Sequence, residues 1–232
     1  MPSPSQLPLA LIHPPQYGRD SFVAGASNRD ALALVERWPE WPSPIAVLSG
    51  PAGSGKTHLA HIWAERANAR MTDVTELRSE ASAISSDTAV ALEDIDTGIV
   101  PEQALFHLIN RIGEAGASLL LTSRGAVSAW PIELADLRSR LRMATPAKLE
   151  TPDEDLLRKL MVKLFSDRQL IIDKPVIDYL LLRMERSLKT AVVLVDALDR
   201  EALAAGRSIT RPMAAGILAE LAGEAGEFAD PQ

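Results

Sequence analysis

The chain has 232 residues, 47% hydrophobic but only 4% aromatic, with no cysteine, four histidines and a formal charge of −7. That length suits one α/β domain of ordinary size plus a small second one, built on Leu, Ile, Val and Ala. The composition excludes disulfides and thiolate metal sites and fits a reducing cytoplasm. Neither half is an independent nucleic-acid module, with 13 basic against 17 acidic residues through Glu150 and 11 against 14 beyond it.

Residues 1–20 hold five prolines and no periodicity, and read as an extended arm. They include no basic leader, and no apolar run in the chain approaches the length of a membrane span. A short segment, Phe22-Val23-Ala24-Gly25-Ala26-Ser27-Asn28, leads into an amphipathic helix over residues 29–37, which Pro39, Pro42 and Pro44 close. Ile45-Ala46-Val47-Leu48 is a buried strand. It runs into Gly50-Pro51-Ala52-Gly53-Ser54-Gly55-Lys56-Thr57, a complete G-x-x-x-x-G-K-[ST] loop. Its glycines let backbone N–H groups turn inward on an anion, Lys56 reaches for β- and γ-phosphates, and Thr57 offers a hydroxyl to Mg²⁺. Residues 57–67 have helical spacing at Leu59, Ile62, Trp63 and Ala67, so a phosphate would sit on a helix N-terminus. His58 and His61 fall on one face of that helix without a third metal ligand, which predicts a solvated face.

A weaker strand over residues 70–73 and a polar helix over residues 74–83 follow. Ala89-Val90-Ala91-Leu92 is a second buried strand, ending in Glu93-Asp94-Ile95-Asp96. A phosphate loop needs such a carboxylate site to hold Mg²⁺ and orient water, which Glu93 and Asp94 supply. Residues 103–114 form a helix with apolar positions 105, 108, 109 and 112, and residues 118–123 a third buried strand whose tip, Thr122-Ser123, faces the same phosphate. Residues 143–149 are a candidate fourth strand. Strands alternating with helices predict a parallel sheet. Beyond Pro152 only helices are expected, over residues 153–169, 174–185, 188–204 and 212–221, the first of them capped by Thr151.

Together these motifs resemble the AAA+ ATPases, and among them the DnaA-related proteins, over residues 18–230. The resemblance implies a P-loop α/β core with a parallel five-stranded sheet over residues 21–150, a small all-helical lid over 151–232, and an arm over 1–20. Residues 22–28 look like a nucleotide-base segment, residues 92–96 like a Walker B strand, residues 120–124 like a sensor-1 strand, and Leu137-Arg138-Ser139-Arg140-Leu141 like an arginine-finger segment. ADP or ATP is then expected to touch Phe22, Val23, Gly50 through Thr57, His58 and, from the sensor-2 helix, Lys189. Thr57, Glu93 and Asp94 are expected to hold Mg²⁺, with Arg140, Asp94 and Thr122 in catalytic roles. Glu93 stands where Asp is usual, and Lys189 where Arg is usual, losing bidentate phosphate geometry. Weak intrinsic hydrolysis is therefore expected.

An initiator continues into a helix-turn-helix DNA reader where this sequence ends, which makes the Hda type of regulator the nearer resemblance. That family carries a sliding-clamp-binding peptide, and Gln6-Leu7-Pro8-Leu9-Ala10-Leu11 fits its Gln-Leu-x-Leu-x-Leu pattern, with Gln6, Leu7, Leu9 and Leu11 as contacts. The implied partners are DnaA and the clamp, with DNA reached through the clamp and room for self-association. A helicase loader, which would bind single-stranded DNA, is the alternative. A small-molecule kinase fits less well, because the helical part after Pro152 shows no arginine-rich phosphate lid.

Overall fold

A computed structural model describes residues 17–77, 89–96 and 100–227. The described residues divide into two units, Tyr17–Thr151 and a second beginning at Pro152.

The first unit is built on five parallel strands: β1 (Ile45–Ser49), β2 (Arg70–Thr72), β3 (Val90–Leu92), β4 (Leu119–Ser123) and β5 (Thr145–Lys148). Their order across the sheet is β2-β3-β4-β1-β5. Around them lie α1 (Arg29–Arg37), α2 (Lys56–Ala67), α3 (Glu102–Ala115) and α4 (Ala135–Arg142). The apolar runs form strands because both faces are covered, and strand periodicity sorts their side chains. Ala46, Leu48, Ala91 and Leu120 face a core shared with α1 and α2 through Leu32, Val35, Leu59 and Trp63. Ile45, Val47, Val90, Leu92, Leu119 and Leu121 face the other core, filled by Leu105, Leu108, Ile109 and Ile112 of α3 and Leu137 and Leu141 of α4.

The order places β4 between β1 and β3. Leu48 lies opposite Thr122, and Leu92 opposite Leu121. The next residue of β4 after Leu121 is Thr122, and the next after Leu92 is Glu93. The phosphate loop, Thr122 and the acidic pair are thus gathered at the carboxyl end of three adjacent strands, where open α/β sheets bind ligands.

The second unit is helical: α5 (Glu154–Asp167), α6 (Lys174–Leu181), α7 (Leu188–Ala205) and α8 (Arg211–Glu227). Its interior includes Leu157, Met161, Phe165, Ile177, Leu180, Leu194 and Leu198. Arg168, its side chain only 9% exposed, pairs with Asp196 on α7, and Arg158 of α5 pairs with Asp178 of α6.

Two sequence expectations need correction, one helix had no counterpart among them, and one expected helix cannot be placed. The cap of α5 is Asp153, not Thr151: its Oδ1 accepts the Leu156 N–H at 2.7 Å, a closer fit to the orphan amides of the first turn. Residues 135–142 form a helix that the polar sequence did not announce, because only Leu137 and Leu141, one turn apart, are buried. His58 and His61 do not form a solvated face, since aromatic rings cover them, as described below. The polar helix expected over residues 74–83 lies largely outside the described residues.

Among the described residues, three carboxyl groups are held below their ordinary pKa. Asp178 is stabilised as the anion by hydrogen bonds from Lys174 and then Arg158. Glu102 accepts the N–H groups of Glu133 and Leu134 at the start of α4, and Asp73 accepts the hydroxyl and N–H of Thr75. A depressed carboxylate contributes stability that is present above its unfolded pKa of about 4 and lost as pH falls through the folded value. The melting temperature is expected to decline gently below about pH 6.5, where the unfolded chain protonates His58 more readily than the folded one, and more steeply below about pH 4. Asp178→Asn should shallow that fall; a melting temperature independent of acid in this range would refute the linkage.

Candidate nucleotide site

The phosphate loop is fixed at its first residue. The Gly50 N–H donates to Ser123 O at 3.1 Å, joining the loop to the tip of β4. A Cβ at Gly50 would lie 2.5 Å from Leu149 O and 3.0 Å from Leu149 Cβ, so only glycine fits. Gly55, at φ 102°, turns the chain into α2 in a conformation closed to other residues. The first N–H groups of α2 then lack helical partners and suit an anion.

Lys56, 6% exposed, donates to Gly50 O at 2.8 Å and to Pro51 O at 3.0 Å. Burial lowers its pKa, against the opposing pull of Asp94, Asp96 and Glu93, while the Arg124 cation adds to the lowering. Thr57 is half-buried in the first turn, and Pro51 and Ala52 are exposed on the loop while Ser54 is buried.

The acidic pair is held from both sides. The Glu93 N–H donates to Thr72 O at 3.1 Å. The Asp94 N–H donates to Thr122 Oγ1 at 2.8 Å, and the Ile95 N–H to Thr122 O at 3.0 Å. Thr122, buried, therefore fastens the backbone that carries Asp94. Asp94 itself sits at φ 46°, a region that Asp tolerates better than most residues.

The residues present fit a magnesium ion. Thr57, Glu93 and Asp94 offer only oxygen, as a hard cation demands, and Glu93 Oε1 is buried without a hydrogen-bond partner.

Sequence reasoning missed two positioning residues. Asp96 takes the Arg124 N–H at 2.9 Å on each oxygen and the Gly125 N–H at 2.8 Å, shaping the turn after β4. Asn28 accepts the Gly25 N–H at 2.8 Å and donates to Val23 O at 3.0 Å, knotting the segment expected to meet the base. The acid was legible in Glu-Asp-Ile-Asp as a third carboxylate. A buried Asn beside Gly25 gave no comparable signal.

In the base segment Phe22 is buried and Val23 half-buried. His58 turns toward this segment, with Nε2 3.1 Å from Gly18 O, and burial keeps its pKa below the ordinary value.

Arg140 is exposed on α4, its guanidinium 5.4 Å from the centre of the Phe106 ring, and it makes no ion pair among the described residues. Arg138 is committed to the carbonyls of Ile132 and Glu133. Lys189 is exposed in the first turn of α7, within the helical unit, and Ser187 caps that turn by accepting the Thr190 N–H at 3.2 Å. Gln6, Leu7, Leu9 and Leu11 lie outside the described residues.

Comparison with known proteins finds likeness in the helical unit and in the fold. Residues 153–218 match the family model described as Hda, lid domain. That match lies within the helical unit that begins at Pro152. Among solved structures the chain is similar to domain III of the replication initiation protein DnaA from Thermotoga maritima, at 16% identity and a TM-score of 0.75, covering 89% of this chain and 97% of that one. AMPPCP-bound DnaA from Aquifex aeolicus matches at 19% identity and a TM-score of 0.67, over 82% of this chain and 67% of that one. The Holliday junction branch migration motor RuvB of Thermotoga maritima matches at 16% identity and a TM-score of 0.70, over 89% and 72%. Among the described residues no helix is long and apolar enough to cross a membrane.

Proposed function

We propose that this protein binds an adenine nucleotide and, in complex with the DNA polymerase sliding clamp, promotes hydrolysis of DnaA-bound ATP, so restraining chromosomal replication initiation. The observation that carries the reading is the match of residues 153–218 to the Hda lid, on a chain whose core presents a complete phosphate loop.

In this reading Lys56 and the N–H groups opening α2 bind the β- and γ-phosphates, and Phe22 and Val23 flank the base. Thr57, Glu93 and Asp94 hold Mg²⁺, which when bound neutralises phosphate charge. Thr122 fixes the backbone of Asp94 and keeps the carboxylate at the strand end. Glu93 and Lys189 leave intrinsic turnover slow, so the chain's own nucleotide serves as a structural ligand. Arg140 acts on the partner: an exposed guanidinium, without an ion pair among the described residues, is available to enter the nucleotide site of DnaA and stabilise charge developing on its γ-phosphate.

The deciding experiment is ATP hydrolysis by purified DnaA with clamp-loaded DNA, with and without this protein. Stimulation that requires the clamp supports the reading, and none at all defeats it. Recruitment has its own test. Replacing Gln6, Leu7 and Leu9 together by alanine is expected to remove clamp binding in gel filtration while leaving nucleotide binding intact. Co-elution of that variant with the clamp would defeat the assignment of the arm.

A further inference from the structure

His58 follows Thr57 in the first turn of α2, yet its side chain serves a different part of the molecule. Its Nε2 lies 3.1 Å from Gly18 O and 3.2 Å from Ser21 Oγ. The Ser21 hydroxyl already donates to Gly18 O at 2.7 Å. Nε2 therefore carries the hydrogen and donates to the same carbonyl, which closes the short turn over Arg19–Ser21 from the helix side. The ring edge also meets Phe22, with centroids 5.1 Å apart at 89°, and Tyr17, at 5.6 Å and 80°. Tyr17 in turn lies flat on His61, one helical turn further along α2, at 4.2 Å and 4°. Tyr17 to Phe22 is thus fastened to α2 by a hydrogen bond and three ring contacts, of which His58 supplies the bond and two.

That attachment has a geometric consequence. One turn of α2 carries Lys56 and Thr57 on the side of the phosphate loop and His58 on the side of the segment that continues into Val23. We propose that His58 is a positioning residue for the nucleobase: it sets the distance between the base segment at Phe22 and Val23 and the phosphate loop, so that a nucleoside diphosphate is read as a unit of fixed length. The inference rests on the nucleotide reading above. Inorganic pyrophosphate needs only the loop. ADP needs the loop and the base segment together.

The test compares the two probes by calorimetry on the full chain with Mg²⁺. His58→Leu keeps apolar bulk against Phe22 and Tyr17 but removes the hydrogen bond, and His58→Gln restores an amide N–H near the position of Nε2. His58→Leu is expected to weaken ADP binding about tenfold and to leave pyrophosphate binding within about twofold, the loss of one hydrogen bond reaching only the base. His58→Gln should recover ADP affinity to within about threefold of wild type. Equal weakening of ADP and pyrophosphate in His58→Leu would overturn the proposal, because His58 would then act through the loop. So would unchanged binding of both, failure of His58→Gln to recover, or loss of the folded state in His58→Leu by circular dichroism. If wild type itself binds pyrophosphate but gains nothing from the nucleoside of ADP, the base-segment assignment falls with it. If wild type prefers ADP and His58→Leu does so equally, only the role of His58 falls.

Discussion

Arg140→Ala is expected to yield a folded protein that binds nucleotide and clamp yet no longer accelerates hydrolysis of ATP by DnaA. Arginine fingers supplied in trans contribute roughly 10³–10⁵ in rate, which sets the ceiling of the loss. The structural cost should be small, because the residue is exposed and its recorded contact is the Phe106 ring. An exposed cation–π contact contributes about 0.5–1 kcal/mol. The salt bridge to Asp136 that a helix allows at this spacing is not formed, so no ion pair among the described residues accounts for the arginine. The measurement is stimulated phosphate release beside a thermal melt. Stimulation within about a factor of two of wild type, far from the loss a finger implies, would move the role to Arg142. Arg138 is the weaker substitute, being tied to Ile132 O and Glu133 O.

Lys56→Ala is expected to weaken ADP binding by about a hundredfold or more, since charge-assisted hydrogen bonds to phosphate are among the strongest a protein makes. The variant loses the one cation buried at the loop, which in the structure bonds two loop carbonyls. Calorimetric affinity equal to wild type would remove the assignment of residues 50–57. Circular dichroism on the same sample separates lost binding from lost fold.

The core was legible because its signals are local. Val90-Ala-Leu and Leu119-Leu-Leu-Thr-Ser are short apolar runs between helical patterns, and such runs become strands only when both faces are covered. The phosphate loop announces itself through glycines needed for a close approach, as the 2.5 Å contact awaiting any Cβ at Gly50 shows. What stayed hidden depends on pairing across the chain. Thr122 looked like a residue facing phosphate, but its oxygen also accepts the Asp94 N–H from 28 positions away. Asp96 carried no assigned role in the sequence, and it shapes the turn at Arg124 and Gly125. The helix around Arg140 escaped notice because two leucines among charged residues are too few to show a period. The role of His58 could not be read from its spacing to His61, since its partners come from a segment some forty residues earlier.

The alternation of side chains along β4 carries one more consequence. Leu120 leans on the layer that holds α2 and the phosphate loop, whereas Leu119 and Leu121 lean on the layer that holds α3 and α4. Neighbouring leucines in one strand therefore support different elements, α2 behind the phosphate loop on one side and α4 with Arg140 on the other. Truncating either kind opens a cavity costing about 2–5 kcal/mol. The sheet is a partition, and damage on one side of it need not be inherited by the other.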